Sequence, residues 1–198
     1  MTLDKIRPAE TGDIDSAADV LAAAFSDYAW TRHTIAADDH QRRVRDLQRL
    51  FIERIGLPHG RVWVADGPDG VVAAAVWTTP DSTGIGEAFA ELAELTPALA
   101  GDRAAAAASA EAAMAPHRPA EPVWFLATVG VHPDHQGKGL GRAIVEPGLA
   151  AAEAAGVPAF LETSEQANVR FYERLGFTVT AEVQLPDGGP TTWAFRRG

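Results

Sequence analysis

The order of patterns along the chain predicts an α+β fold: one mixed, mostly antiparallel sheet of six to seven strands with helices on both faces. Three observations carry this reading. Short β-branched or aromatic runs alternate with helical periodicities in the order β-α-α-β-β, an alanine-rich helical stretch, then β-α-β-α-β-β. The turn sequences Asp66-Gly-Pro-Asp-Gly70 and Pro186-Asp-Gly-Gly-Pro190 lie between apolar runs, which makes the strands they join antiparallel. The 198 residues, 46% apolar and 22% charged, suffice for a single domain over 1–198 with its own core and a helical insert at 86–115.

Each element has a local reason. Residues 3–7 form a short strand that Pro8 stops. Asp13 is placed to cap a helix on which Ile14, Ala17, Ala18, Leu21 and Phe25 share a face, and which ends near Tyr28. A second helix turns Val44, Leu47, Phe51 and Ile55 inward. Its Arg42, Arg43, Arg45 and Arg49 face out and read as a solvated surface. Residues 61–65 alternate as a strand and pair through the first turn with 71–79. The insert is helical and broken at Pro97 and Gly101; it either covers a site or is a surface excursion. It precedes the fourth strand. A helix kinked at Pro147-Gly148 follows that strand, then a strand over 159–163, a short helix closed by Gly176, and strands over 177–184 and 191–197.

Composition narrows the function. A net charge of −10 argues against a nucleic-acid partner and favours neutral or cationic ones. Zero cysteines exclude disulfides, thiolate metal sites and a cysteine nucleophile. The six histidines show no ligand spacing, so no metal is expected. There is neither a long apolar N-terminal segment nor a run of spanning length, which implies no membrane partner and a cytoplasmic location. Nothing in the sequence indicates an oligomeric state.

The stretch 123–142 organises the chain. An apolar, β-branched and aromatic run over 123–131 ends at Pro133, and Gly137, Gly139 and Gly141 then lead into a helix carrying Leu140, Ile144, Val145 and Leu149. A glycine loop at a helix N-terminus turns free N–H groups and the positive end of the macrodipole toward an anion, and Lys138 and Arg142 add charge. The spacing is not that of a Walker A loop, because His132 stands where its first glycine belongs and Gly139 follows the lysine. Nor is it a dinucleotide fingerprint, because the third glycine position is Arg142.

What remains, Gln136-x-x-Gly139-x-Gly141, resembles the acetyl-CoA pyrophosphate loop of the GNAT superfamily of N-acetyltransferases. Phe171-Tyr-Glu-Arg-Leu-Gly-Phe177 is similar to the segment of that superfamily whose tyrosine sits beside the thioester sulfur. The resemblance implies acetyl-CoA as co-substrate, held by Val129, Gly130 and Val131 on a splayed fourth strand, by Gln136, Gly137, Lys138, Gly139, Leu140, Gly141 and Arg142, and by Asn168. It implies an enzyme in which an amine attacks the acetyl carbonyl directly and Tyr172 serves the departing thiolate. Reference values for a thiol and a phenol put full proton transfer uphill by roughly 2 kcal/mol, which favours hydrogen-bond donation. The family's usual asparagine, seven positions before that tyrosine, is Glu165 here; Asn168 stands nearer. Tyr28 and Glu162 are the candidates for a base or amine-orienting group. Tyr28, Trp30, Trp77, Trp124 and Phe125 are the candidates for an aromatic acceptor pocket.

Longer segments, among them 22–28, 62–66, 75–80, 115–119, 124–131, 133–141, 156–164 and 171–179, are similar to the puromycin N-acetyltransferase family. That resemblance implies a small-molecule acceptor, the α-amine of the O-methyltyrosyl part of an aminonucleoside antibiotic, and a role in antibiotic resistance. Two other readings share the donor: an N-acetyltransferase for another small aminoacyl or aromatic amine, and a catalytically silent domain that binds acyl-CoA as a sensor.

Overall fold

A computed structural model describes residues 5–68 and 70–198, with seven strands in one sheet of order β1-β2-β3-β4-β5-β7-β6. The strands are β1 (Lys5–Pro8), β2 (Gly60–Gly67), β3 (Gly70–Thr78), β4 (Trp124–Val131), β5 (Ala159–Thr163), β6 (Thr178–Gln184) and β7 (Thr191–Arg197). Residues 3 and 4 of the first expected strand, and Asp69 of the first expected turn, lie outside the described residues. All neighbours are antiparallel except β4 and β5.

Two helical layers cover the sheet. On one face α7 (Leu140–Ala155) and α8 (Gln166–Arg174) enclose a core of Trp77, Trp124, Leu126, Ile144, Leu161, Tyr172 and Phe195. On the other, α1 (Ile14–Phe25) and the chain after α3 (His40–Phe51) bury Ala17, Leu21, Ile52, Val64, Ala74 and Val76. A π-helical turn, Ile52–Gly56, extends α3 into α4 (Leu57–His59). Gly56 is needed there because a β-carbon would lie 2.8 Å from both Val62 and Val76.

Several local expectations change. Asp13 precedes α1 without capping it through its side chain. Its carboxylate is taken by both terminal nitrogens of Arg7, at 2.7 and 2.8 Å, and by the Glu10 N–H. A six-residue helix, α2 (Ala29–Thr34), follows Tyr28 and has no sequence signal long enough to announce it. In the insert, α5 (Ile85–Ala100) runs through Pro97 and stops only at Gly101, whose φ is +63°. Arg43 explains that end, since its Nη1 donates to the Ala98 and Leu99 carbonyls. The second helix of the insert, α6 (Ala104–Met114), buries Ala110 and Met114 against Phe160, Leu185 and Ala194, so this half of the insert is core rather than surface excursion. Arg42, Arg45 and Arg49 pair with Asp15, Asp19, Asp39, Asp46 and Glu53 on an exposed face.

Helix α7 is unbroken through Pro147. The adjoining Gly148 has a packing reason: a β-carbon there would lie 2.3 Å from the Trp77 ring. Gly148→Ala must therefore push α7 off the sheet or rotate a fully buried tryptophan. A loss of about 1–3 kcal/mol is expected, measured as a lower denaturation midpoint at unchanged m-value.

Candidate active site

The sheet parts in its middle. β4 and β5 pair only at Trp124↔Ala159, Phe125↔Phe160 and Leu126↔Leu161, after which each strand continues without the other. A register shift between Val76 and Trp77 leaves Ala127 without a partner on β3, and bends β4 away at this point. Beyond the bend the strand still pairs with β3, and the His132 N–H donates to the Val72 carbonyl at 2.9 Å. Strand groups alternate sides with period two, so the N–H of Gly130 faces β3, and those of Val129 and Val131 face the gap. This corrects the inclusion of Gly130 as a ligand contact. Its missing side chain admits α1, because a β-carbon would lie 2.7 Å from that of Ala24.

The gap opens beside the glycine loop. Gln136 Nε2 donates to the Val131 carbonyl at 3.0 Å, tying the loop to the strand end. Gly137 and Gly139 have φ of +76° and +84°, and no atom lies within 4 Å of where their β-carbons would be. The backbone thus turns through left-handed conformations around open space, as a cradle requires. Gly139 is the N-cap of α7, and the first loop-to-helix bond runs from Ala143 N–H to the Gly139 carbonyl. The N–H groups of Leu140, Gly141 and Arg142 are therefore the free donors of the first turn. Gly141 stands open, with its nearest foreign atoms at 3.8 and 3.9 Å. Leu140 roots the helix in the core. Lys138 Nζ reaches the Asp134 carbonyl at 3.3 Å, and Arg142 Nε pairs with Glu146 at 2.8 Å, both at the surface.

Two phenols stand close enough to influence one another near the end of β5. Tyr172 comes from α8, whose end is fixed by the Phe177 N–H donating to the Tyr172 carbonyl and by Gly176 at φ +86°. Its ring is gripped by Phe171, Phe177 and Phe195, with centroids 5.1, 5.9 and 5.8 Å away. Burial pushes its phenol well above the ordinary range, and the Tyr28 phenol adds to that rise. Tyr28 comes from the turn between α1 and α2, packed edge-on against Phe25 at 5.0 Å. Its oxygen lies 3.0 Å from Thr163 Oγ1 and accepts the Ser164 N–H. Burial raises this phenol too, and those two hydrogen bonds oppose the rise.

The hydroxyl of Thr163 was not singled out in the sequence, yet it gathers the end of β5. It also receives Asn168 Nδ2 at 3.2 Å and the Glu165 N–H at 3.4 Å. Asn168 thus ties α8 to the end of β5 through its amide nitrogen. The only signal for this cluster is polar residues ending an apolar strand, which is also what an ordinary turn looks like.

The acceptor candidates divide. Trp30 and Phe125 lie partly buried together at the edge of the cluster under α6. Trp77 and Trp124 do not join them. Both face the opposite layer, 0% and 7% exposed, packed against each other at 6.2 Å beneath α7. They are core, and their place in an acceptor pocket is withdrawn. Glu162 is also unsuited to act as a base, since both its oxygens accept from Arg118, at 2.8 and 2.9 Å. Arg118 spends its remaining terminal nitrogen on Glu111 and lies 6.0 Å from the Phe125 ring centroid. This places a fork-held carboxylate near Phe125.

Among the described residues no group of three His, Asp or Glu side chains is placed to hold a metal ion, and no helix is long and apolar enough to cross a membrane.

Comparison with known proteins places this architecture. The profile of the acetyltransferase (GNAT) family matches residues 22–177. The L-amino acid N-acyltransferase MnaT of Escherichia coli is 43% identical over 65 residues, which are 31% of this chain and 37% of that protein. A mycothiol acetyltransferase of Nocardiopsis dassonvillei is 44% identical over 62 residues, 30% of this chain and 19% of that protein. The chain thus spans well under half the length of these curated relatives. A crystal structure from Corynebacterium glutamicum, described as histone acetyltransferase HPA2 and related acetyltransferase, is 26% identical with a TM-score of 0.75, covering 99% of this chain and 96% of that one. A mosquito arylalkylamine N-acetyltransferase like 5b shares the fold at 14% identity and a TM-score of 0.62, covering 98% of each chain.

Proposed function

Because the chain belongs to the acetyltransferase (GNAT) family, we propose that it transfers an acetyl group from acetyl-CoA to the free amine of a small aromatic aminoacyl compound, puromycin or a molecule of its kind, in one direct step. The observation that carries this reading is the parted pair β4 and β5, with two strand N–H groups turned into the gap, the glycine cradle after β4, and the Tyr172 phenol near that of Tyr28, which bonds the end of β5.

Acetyl-CoA supplies an acyl group activated as a thioester. The chain does the rest. The Val129 and Val131 N–H groups pair with the amides of an extended pantetheine arm, as a neighbouring strand would. The N–H groups of Leu140, Gly141 and Arg142, with Gly137, Gly139 and Lys138 around them, take the pyrophosphate. A strand N–H aimed into a water-poor gap also stabilises the oxygen charge that develops as the amine attacks. Tyr172 donates a hydrogen bond toward the leaving sulfur. Its raised pKa keeps the proton on the phenol oxygen, so it polarises rather than ionises.

On the acceptor side Tyr28 orients the amine. An amine beside a carbonyl is weakly basic and arrives partly neutral, so no free carboxylate is required. Trp30 and Phe125 offer flat apolar faces to an aromatic ring. The test is free-thiol release from acetyl-CoA with puromycin as acceptor, followed by mass spectrometry of the antibiotic. One added acetyl group on the α-amine is the expected product. Thiol release with other small amines and none with puromycin would reject the acceptor and keep the reaction.

A further inference from the structure

One polar pair, between α3 and β4, has no role so far. Gln48 interrupts the apolar stripe of α3, one turn after the fully buried Val44. Thr128 stands on β4 just past the bend, next in the chain to Val129, whose N–H faces the gap. Its side chain shares the α1 face with Gly130, two residues on. The Thr128 hydroxyl donates to Gln48 Oε1 at 3.2 Å, and both residues are only 9% exposed. The amide nitrogen of Gln48 has no hydrogen-bond partner among the described residues, yet it is not among the atoms sealed from solvent. An amide largely buried but still reached from solvent, with two N–H donors no protein group takes, is placed to meet an acceptor atom of a ligand.

We propose that Gln48, held by Thr128, is the subsite that recognises a carbonyl oxygen on the amine substrate, and so selects α-amino carbonyl compounds over plain arylalkylamines. This rests on the acetyl-transfer reading above and names its specificity. In an aminoacyl amide or ester the carbonyl is bonded to the carbon that bears the reacting amine, so its oxygen is the acceptor atom nearest the chemistry. Thr128 fixes the orientation of the amide: its hydroxyl occupies Oε1 and leaves the Nε2 protons for another acceptor. A site built to donate to a substrate oxygen rejects the analogue that lacks it, because the donor is then stranded.

The experiment compares kcat/KM for tyrosine amide and for tyramine, which lacks the carbonyl, in the wild type, Gln48→Leu, Thr128→Val and Thr128→Ser. The expected wild-type preference is about 10-fold or more for the amide. Gln48→Leu and Thr128→Val should collapse that ratio, and Thr128→Ser, which keeps the hydroxyl, should restore most of it, with the KM for acetyl-CoA moving less than about 2-fold throughout. Equal losses with both amines would mark the pair as structural and overturn the proposal. A wild type that acetylates tyramine as well as the amide would overturn it while leaving the acetyl-transfer reading intact. A wild type that binds acetyl-CoA and acetylates neither of these amines nor puromycin would remove both.

Discussion

Tyr172→Phe is expected to lower kcat by about 100-fold or more, with little change in the KM for acetyl-CoA or in thermal stability. The ring stays where it is, because its grip comes from the edges and faces of Phe171, Phe177 and Phe195. Only the oxygen is lost. That pattern, a fall in kcat with binding preserved, marks an interaction made in the transition state. Steady-state kinetics with saturating donor decides it, and unchanged kcat would remove Tyr172 from the chemistry.

The pH profile follows from the same burial. Both phenols are raised, so both remain protonated across the working range, and activity should climb as the acceptor amine deprotonates without a descending limb below about pH 10. Stability carries the matching sign. A phenol whose folded pKa lies above its unfolded one stabilises the fold fully below about pH 10, and the contribution is lost as pH rises beyond it.

Gly139→Glu is the second large effect, expected to weaken acetyl-CoA binding at least about 100-fold by calorimetry. Two causes add. A side chain at φ +84° strains the N-cap of α7, and the new carboxylate sits against the N–H groups meant for a phosphate. Gly139→Ala separates them, since it carries the strain without the charge and should cost about 10-fold at most. Equal affinity of wild type and Gly139→Glu would mean that the cradle holds nothing anionic.

The strands and the glycine loop were legible in the sequence because their signals are local. A β-branched run ended by proline, three glycines in five positions and an apolar helical stripe each fit within twenty residues. The face on which a side chain lands is not local. Trp77 and Trp124 belong to central strands, but only the register shift at Val76/Trp77 and the pairing with β3 decide that they lie under α7 rather than toward α1. Glu162 looked available at a strand end, because the residue that occupies it, Arg118, is 44 positions away. Gln48 carries no local signal, since its partner Thr128 lies 80 positions on. Pro97 suggests a break, yet α5 runs on to Ala100, and Arg43, more than fifty residues upstream, takes the last carbonyls at that end.

Among the described residues, three residue pairs are all the strand pairing that joins β1–β4 to β5, β7 and β6. The molecule is therefore two antiparallel half-sheets whose cohesion rests on side chains, chiefly the α7 and α8 core that spans the seam. A sheet usually keeps its unpaired edges at its rims and guards them against other chains. Here an edge lies in the interior, roofed by helices, where only something slender and extended can reach it. A pantetheine arm lying along Val129 and Val131 would complete the ladder that β5 abandons, and by mass action would add its binding free energy to the stability of the fold, about 2.7 kcal/mol at a hundredfold excess over its dissociation constant. The donor would then be a keystone as well as a reagent, with each turnover building and dismantling part of the sheet.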